Sequence, residues 1–254
     1  MKITTFNLNG IRSALNKGLA EWLKNHEADI LCFQEIKLSE TELVESVFVD
    51  LGYHCTWFPA QKKGYSGVAL LSKIKPNEVK YGVGIDQYDS EGRTILASFD
   101  HFHVMSAYFP SGTTGDIRQD LKMRFLDDIY NYVHQFEKSG KPLILCGDVN
   151  ICHKEIDIHN PKSNANSSGF LPEERAWVGK FIDSGFVDCF RHKVSDPQQY
   201  TWWSYRAGAR AKNLGWRIDY IFTTTDATDK ISNAKIHSDV IFSDHCPVTV
   251  DFEF

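Results

Sequence analysis

No stretch of the 254 residues approaches the ~20 consecutive apolar positions that a membrane-spanning helix requires. No Cys-x-x-Cys pair occurs among Cys32, Cys55, Cys146, Cys152, Cys189 and Cys246, so a zinc site is not expected. The first residues, from Lys2 to Asn7, read as a strand and lack an apolar stretch ending at a small-residue cleavage site. No export signal is therefore expected, and the cysteines read as reduced thiols of a cytoplasmic protein, most of them filling the core. Low-complexity linkers are missing as well, which argues for one domain over 1–254. With 42% hydrophobic and 24% charged residues, a disordered or collagen-like chain is excluded.

The chain also lacks a net positive charge: the formal balance is −5, which at first opposes an anionic partner. Binding depends on local distribution, however. From Gln198 to Ile218 there are Arg206, Arg210, Lys212 and Arg217 and no acidic residue, interleaved with Tyr200, Trp202, Trp203, Tyr205 and Trp216. Cations among exposed rings suit phosphates and unstacked bases. A tryptophan-rich core strand followed by a solvated basic loop fits the same pattern.

Strand patterns, rich in β-branched and aromatic residues, fall at 2–7, 29–34, 53–58, 66–72, 93–99, 102–109, 142–147, 186–190, 199–203, 217–222, 234–240 and 247–253. Helical spacing predicts helices over 18–26, 39–51, 117–138 and 172–184, with Pro172 at a first helical position of the last. Loops are expected at Ser111–Asp116 and Asn160–Gly169. So many strands with so few helices point to two packed sheets covered outside by helices. Similar strand–loop–acid endings in both halves are compatible with pseudo-symmetry.

Polar residues gather where apolar strands stop. Asn7 ends the first pattern and Asn9 follows; Glu35 and Lys37 follow the second. Asp148 and Asn150 follow 142–147, Asp219 sits between Ile218 and Tyr220, and Asp244-His245 precedes the last strand. Each has an ordinary explanation as a turn or outward-facing residue. Together at one sheet edge, they would form a catalytic rim. Several carboxylates brought that close repel unless cations or protons compensate. Such oxygen donors suit a hard ion, Mg²⁺ or its substitute Mn²⁺.

These residues lie in eight segments that run nearly from end to end: Phe6–Arg12, Gln34–Lys37, Gly64–Val68, Tyr108–Gly112, Gly147–Asn150, Asn164–Pro172, Gly215–Tyr220 and Ser243–Pro247. In that order they resemble the exonuclease III-like apurinic/apyrimidinic (AP) endonucleases of the endonuclease/exonuclease/phosphatase superfamily. The resemblance implies an α/β fold, a four-layered, deoxyribonuclease I-like sandwich of two mixed sheets flanked by helices. It implies a metal site of Glu35 with Asn7, Asp148, Asn150 and Asp244, and a catalytic set of Tyr108, Asp148, Asn150, Asp219 and His245. Arg12, Lys17, Lys37, Gly64, Tyr65, Arg118, Asn164 and Arg206 would contact DNA, and Trp202, Trp216 and Ile218 would form a pocket for an extrahelical abasic sugar. Asn9 stands where some members carry Asp, leaving one fewer charge for a second ion.

The function implied is Mg²⁺-dependent DNA repair: hydrolysis 5′ to abasic sites in double-stranded DNA, together with action on 3′ ends. Either Asp148 or His245 would be the base, with Asp219 fixing the histidine tautomer. A monomer without membrane association is expected. Two alternatives keep the fold: a phosphodiesterase or phosphatase on a non-DNA substrate, and a DNA-binding module that has lost catalysis.

Overall fold

The structure is a computed structural model that describes the backbone of residues 1–254 and all side chains except those of Glu42, Leu43 and Glu137. In chain order its strands are β1 (Lys2–Asn7), β2 (Ile30–Gln34), β3 (His54–Phe58), β4 (Val68–Ser72), β5 (Glu78–Tyr81), β6 (Thr94–Ser98), β7 (His103–Tyr108), β8 (Leu143–Asp148), β9 (Phe186–Asp188), β10 (Trp202–Trp203), β11 (Gly215–Trp216), β12 (Asp219–Thr224), β13 (Ile231–Ile236) and β14 (Val248–Phe252). The helices are α1 (Ile11–Asn16), α2 (Leu19–His26), α3 (Glu42–Val49), α4 (Asp86–Asp89), α5 (Asp116–His134), α6 (Pro161–Asn164), α7 (Pro172–Asp183) and α8 (Cys189–Lys193).

Central strands are apolar on both faces, and period-2 alternation sends each face to a different layer. In β2, Ile30 and Cys32 enter the core between the sheets, while Leu31 and Phe33 meet Leu19, Leu23 and Phe48 of the helices outside. In β8, Ile144 and Cys146 face the other sheet, and Leu143 and Leu145 meet Phe125, Ile129 and Phe181. Helices, sheet, sheet, helices: the result is a four-layered α/β sandwich. All six cysteines are free. Among the described residues no helix is long and apolar enough to cross a membrane.

The two sheets share one pairing pattern. One runs β13-β14-β1-β2-β4-β3 and the other β5-β6-β7-β8-β12-β9. In each, the third and fourth strands are parallel and every other neighbour is antiparallel. The parallel pairs β1–β2 and β7–β8 end at Asn7, Gln34, Tyr108 and Asp148.

The departures from the sequence-based expectation are local. The 186–190 pattern stops being strand at Asp188, whose carboxylate accepts from the Arg191 N–H and starts α8. The 234–240 strand begins earlier, at Ile231, and ends at Ile236. The 217–222 strand runs from Asp219 to Thr224, and Trp216 belongs instead to the small β10–β11 ribbon. Helix α5 ends at His134, before a separate short turn. Strand β5, helix α1 and three single-turn helices were not anticipated.

Candidate active site

The parallel strand pairs deliver their polar ends to one cleft of about 650 Å³, lined by Glu35, Tyr108, Asp148, Asn150, Trp202, Trp216, Ile218, Asp244 and His245. The backbone there is unusual. Asn9, Glu35, Lys37 and Asn150 all have φ between +46° and +57°. Left-handed conformations are costly outside glycine and collect where a scaffold holds side chains for a task.

Asn7 joins the two sheets: its Nδ2 donates to Glu35 Oε1 and to Asp148 Oδ2, both at 2.9 Å. Glu35, Asp148 and His245 each place one ligand atom within 4.8 Å of the others. Asp219, opposite Asp148 in the β8–β12 register, accepts from His245 Nδ1 at 2.8 Å, and His245 Nε2 lies 3.8 Å from Asp148. On the next side of the cleft Asn9 and the Trp202 indole donate to Asp244 at 2.9 and 3.0 Å. Lys37 pairs with Glu35 at 2.8 Å.

Carboxylates outnumber cations here, and the electrostatics show it. Burial raises the Asp148 pKa to about 7, with Asp219 and Glu35 adding to the shift against the opposing His245 and Asn7. Burial acts to lower the His245 pKa, but Asp219, Asp148 and Asp244 override it and raise the value to about 10. Burial, Glu35 and Asp148 hold the Tyr108 phenol protonated. An oxygen-rich donor set with surplus negative charge fits a hard divalent cation.

Trp202 and Trp216 meet edge to face, with ring centroids 6.2 Å apart, and pack with Ile218, Ile158, Phe170 and Cys152 into a small apolar cluster on the cleft. Buried Thr201 ties this corner together. Its hydroxyl accepts from the N–H groups of Ile218 and Asp219, and its carbonyl accepts from Cys246 N–H.

The residues assigned to DNA contact spread over the surface around this cleft. Arg12, Gly64 and Arg206 are exposed, and Lys17 is exposed with Nζ on the Phe242 carbonyl. The Tyr65 hydroxyl accepts from Arg118 and Arg93, and Arg118 also pairs with Glu91. The Asn164 amide is turned back onto the His159 and Asn160 carbonyls. The basic stretch 198–218 is less available than its composition implied. Arg217 is fully buried on Asp157 and Asp188, Arg210 stacks on Trp203 and bonds four backbone carbonyls, and Lys212 bonds Ala207.

One wall of the cleft is built from the two expected loops, through Ser111, Gly112, Thr113 and Gly115 and through Asn166, Ser167, Ser168, Gly169 and Leu171; what sequence reasoning missed is its bracing from behind by Lys122 and Glu174. The composition of the loops was visible, but nothing in it marked which backbone groups would face inward. Arg93 was missed too. It is buried, stacks on the Tyr108 ring at 4.9 Å and donates to its carbonyl.

Clustered carboxylates beside an Asp–His pair, set on the joined edges of a four-layered sandwich, make a donor set that suits metal-assisted hydrolysis. The sequence profile of the endonuclease/exonuclease/phosphatase family matches residues 4–245. Among curated proteins the chain is 44% identical to an exodeoxyribonuclease of Bacillus subtilis (strain 168), over 98% of both chains. It is 40% identical to the DNA repair nuclease APEX1 of Danio rerio, over 98% of this chain and 81% of that one. Among solved structures, an AP endonuclease from Archaeoglobus fulgidus superposes with a TM-score of 0.92 at 31% identity, and a 3′-5′ exonuclease (NExo) from Neisseria meningitidis with 0.93 at 27%, each over the full length of both chains. The chain belongs to the endonuclease/exonuclease/phosphatase family.

Proposed function

We propose that this chain, a DNA-repair nuclease by its family and relatives, is a Mg²⁺-dependent enzyme that cuts the phosphodiester 5′ to abasic sites and also trims 3′ ends. The observation that carries the reading is the adjacency, in one cleft, of the Asn7–Glu35–Asp148 cluster, the Asp219–His245 pair and the apolar Trp202–Trp216–Ile218 corner. Glu35, Asp148 and Asp244, with Asn7 and Asn150 beside them, would hold Mg²⁺, and Mn²⁺ as a substitute. When bound, the ion compensates negative charge on the phosphate.

The protein groups divide the remaining work. Asp219 accepts the Nδ1 proton of His245 and stabilises the imidazolium, so Nε2–H is free to donate to a phosphoryl oxygen. Asp148 takes the proton of the attacking water. Asn150 commits one amide N–H to the Phe109 carbonyl and keeps the other for the phosphate. The Tyr108 hydroxyl, held protonated, donates to the same phosphate. An abasic sugar has little to unstack, so a small apolar slot admits it where a base would be excluded.

DNA contact then falls to the exposed Arg12, Lys17, Gly64 and Arg206, with the half-buried Lys37, Tyr65, Arg118 and Asn164. The protein acts as a cytoplasmic monomer. The test is incubation with an abasic duplex, an intact duplex and a phosphoinositide, each with Mg²⁺ and with EDTA, and with both product termini identified. Mg²⁺-dependent incision 5′ to the lesion with a 3′ hydroxyl is expected. Binding of abasic DNA without incision, or turnover of the lipid alone, would overturn the reading. Sedimentation of the free protein tests the monomer.

A further inference from the structure

Behind the loop wall of the cleft lies an ion pair that the reaction above does not use. Lys122, on α5, and Glu174, in the first turn of α7, are both fully buried, with Nζ and Oε1 2.6 Å apart. Such a pair is weak evidence of stability, because apolar side chains of similar volume often hold two helices as well or better. What apolar side chains cannot supply is directed hydrogen bonds, and here those all lead to the cleft.

Lys122 Nζ also donates to the backbone carbonyl of Asn150 at 2.9 Å. Glu174 Oε2 accepts from the backbone N–H groups of Gly169 and Leu171 at 2.6 and 3.0 Å. Its Oε1 accepts from Gln119, whose own amide oxygen accepts from the Ser168 hydroxyl. Asn150, Gln119, Ser168, Gly169 and Leu171 all line the cleft. Gly169 shows how close the parts lie: at its φ of +96°, a Cβ would stand 2.9 Å from the Trp216 ring and 3.1 Å from the Asn150 carbonyl oxygen. Asn150 is itself held at φ +57°, a conformation that needs restraint from its surroundings.

We propose that Lys122 and Glu174 are positioning residues for the nuclease reaction, clamping the turn that carries Asn150 to the Ser168–Leu171 wall against Trp216. The proposal rests on the reading of this cleft as a nuclease site. Lys122 acts through the Asn150 backbone and Glu174 through the wall. Neither touches substrate.

The test is the neutral pair Lys122→Met with Glu174→Gln, which removes the buried charges together and leaves an amide oxygen for the Gly169 and Leu171 N–H groups. Val133→Ala, a core truncation at the far end of α5, is the control. The double variant should fold with a Tm near that of the wild type, yet lose about 10²-fold in kcat on the abasic duplex with a much smaller change in KM. The control should lose Tm and keep kcat. Wild-type kcat in the double variant, or a matching kcat loss in the control, overturns the proposal.

If the double variant does not fold, Glu174→Gln alone decides. It is isosteric but leaves Lys122 underpaired, so a lower Tm is expected of it; kcat is read well below that Tm, and an unchanged kcat there counts against the clamp. A wild-type protein that leaves the abasic duplex intact overturns the nuclease reading instead. The same kcat–KM comparison is then made on whichever phosphate ester the wild type hydrolyses.

Discussion

Charge is also buried around two aspartates, Asp157 and Asp148, and the two clusters are built to opposite rules. Around Asp157, two carboxylates meet two guanidiniums: Arg217 and Arg191 reach Asp157 at 2.8 Å each, and Arg217 reaches Asp188 at 2.7 Å. Burial works to raise the Asp157 pKa, but Arg217 and Arg191 overcome it and bring the value down to about 2. Around Asp148, the carboxylates of Glu35 and Asp219 crowd the buried site beside His245 and Lys37, and the Asp148 pKa rises to about 7. The same residue type, equally buried, is driven in opposite directions by its neighbours. Balanced charge supports the fold, whereas the crowding at Asp148 costs stability, as the proton transfer and cation binding proposed above would require.

The sharpest way to break this comparison is to neutralise one carboxylate in each cluster. Asp148→Asn should reduce cleavage of an abasic duplex by about 10²–10⁴-fold, while thermal unfolding in EDTA shows an unchanged or higher Tm. Retained activity would remove Asp148 from the mechanism, and a large fall in Tm would place it with the structural cluster. Asp157→Asn should do the reverse, costing about 3–5 kcal/mol in denaturant unfolding by leaving buried guanidiniums underpaired. Wild-type stability in that variant would contradict the balanced-cluster account.

A pH series separates the two more finely. The folded Asp148 pKa of about 7 lies above its unfolded value of about 3.9, so its contribution favours the fold below the lower value and is lost as pH rises through 7. Asp157 has the opposite sign, contributing above its unfolded value and losing that contribution as pH falls through about 2. In EDTA, the Tm advantage of Asp148→Asn over wild type should thus be largest near pH 8 and shrink toward about pH 5. A constant difference across that range would refute the assignment.

The smallest effect is expected within the basic stretch. Arg206→Ala should leave Tm unchanged and reduce the salt slope of DNA binding by about one. Arg217, eleven positions on, belongs to the other cluster. A neutral Arg206 variant with an unaltered salt slope would show that the exposed arginine does not meet phosphate.

That pair of arginines also marks how far the sequence could be read. The β2 and β8 strands and the polar residues at their ends were legible, because an apolar run stopping at Glu35 or Asp148 carries both the strand and its chemistry. Helix α5 was legible from Leu121, Phe125 and Ile129. Lys122, next to that stripe, carries no signal of its own in the sequence. Its burial depends on Glu174, far along the chain, and no local pattern encodes that meeting. Arg217 was obscured for the same reason, its partners lying at Asp157 and Asp188. Strand β5, with Glu78, Lys80 and Tyr81 exposed at a sheet edge, has too little apolar alternation to be recognised. The positive φ at Glu35 has no residue preference behind it, whereas asparagine at 150 is of a type that enters the left-handed region more readily.

The parallel ends of β1–β2 and β7–β8 tie the site to closure of distant parts of the chain. Asn7 and Glu35 precede His245 by more than 200 positions, and β14, just beyond His245, pairs with β1. On the roles proposed above, the carboxylate cluster meets its imidazole only once those far-apart segments dock, so cutting competence would belong to the completed sandwich and to neither sheet by itself.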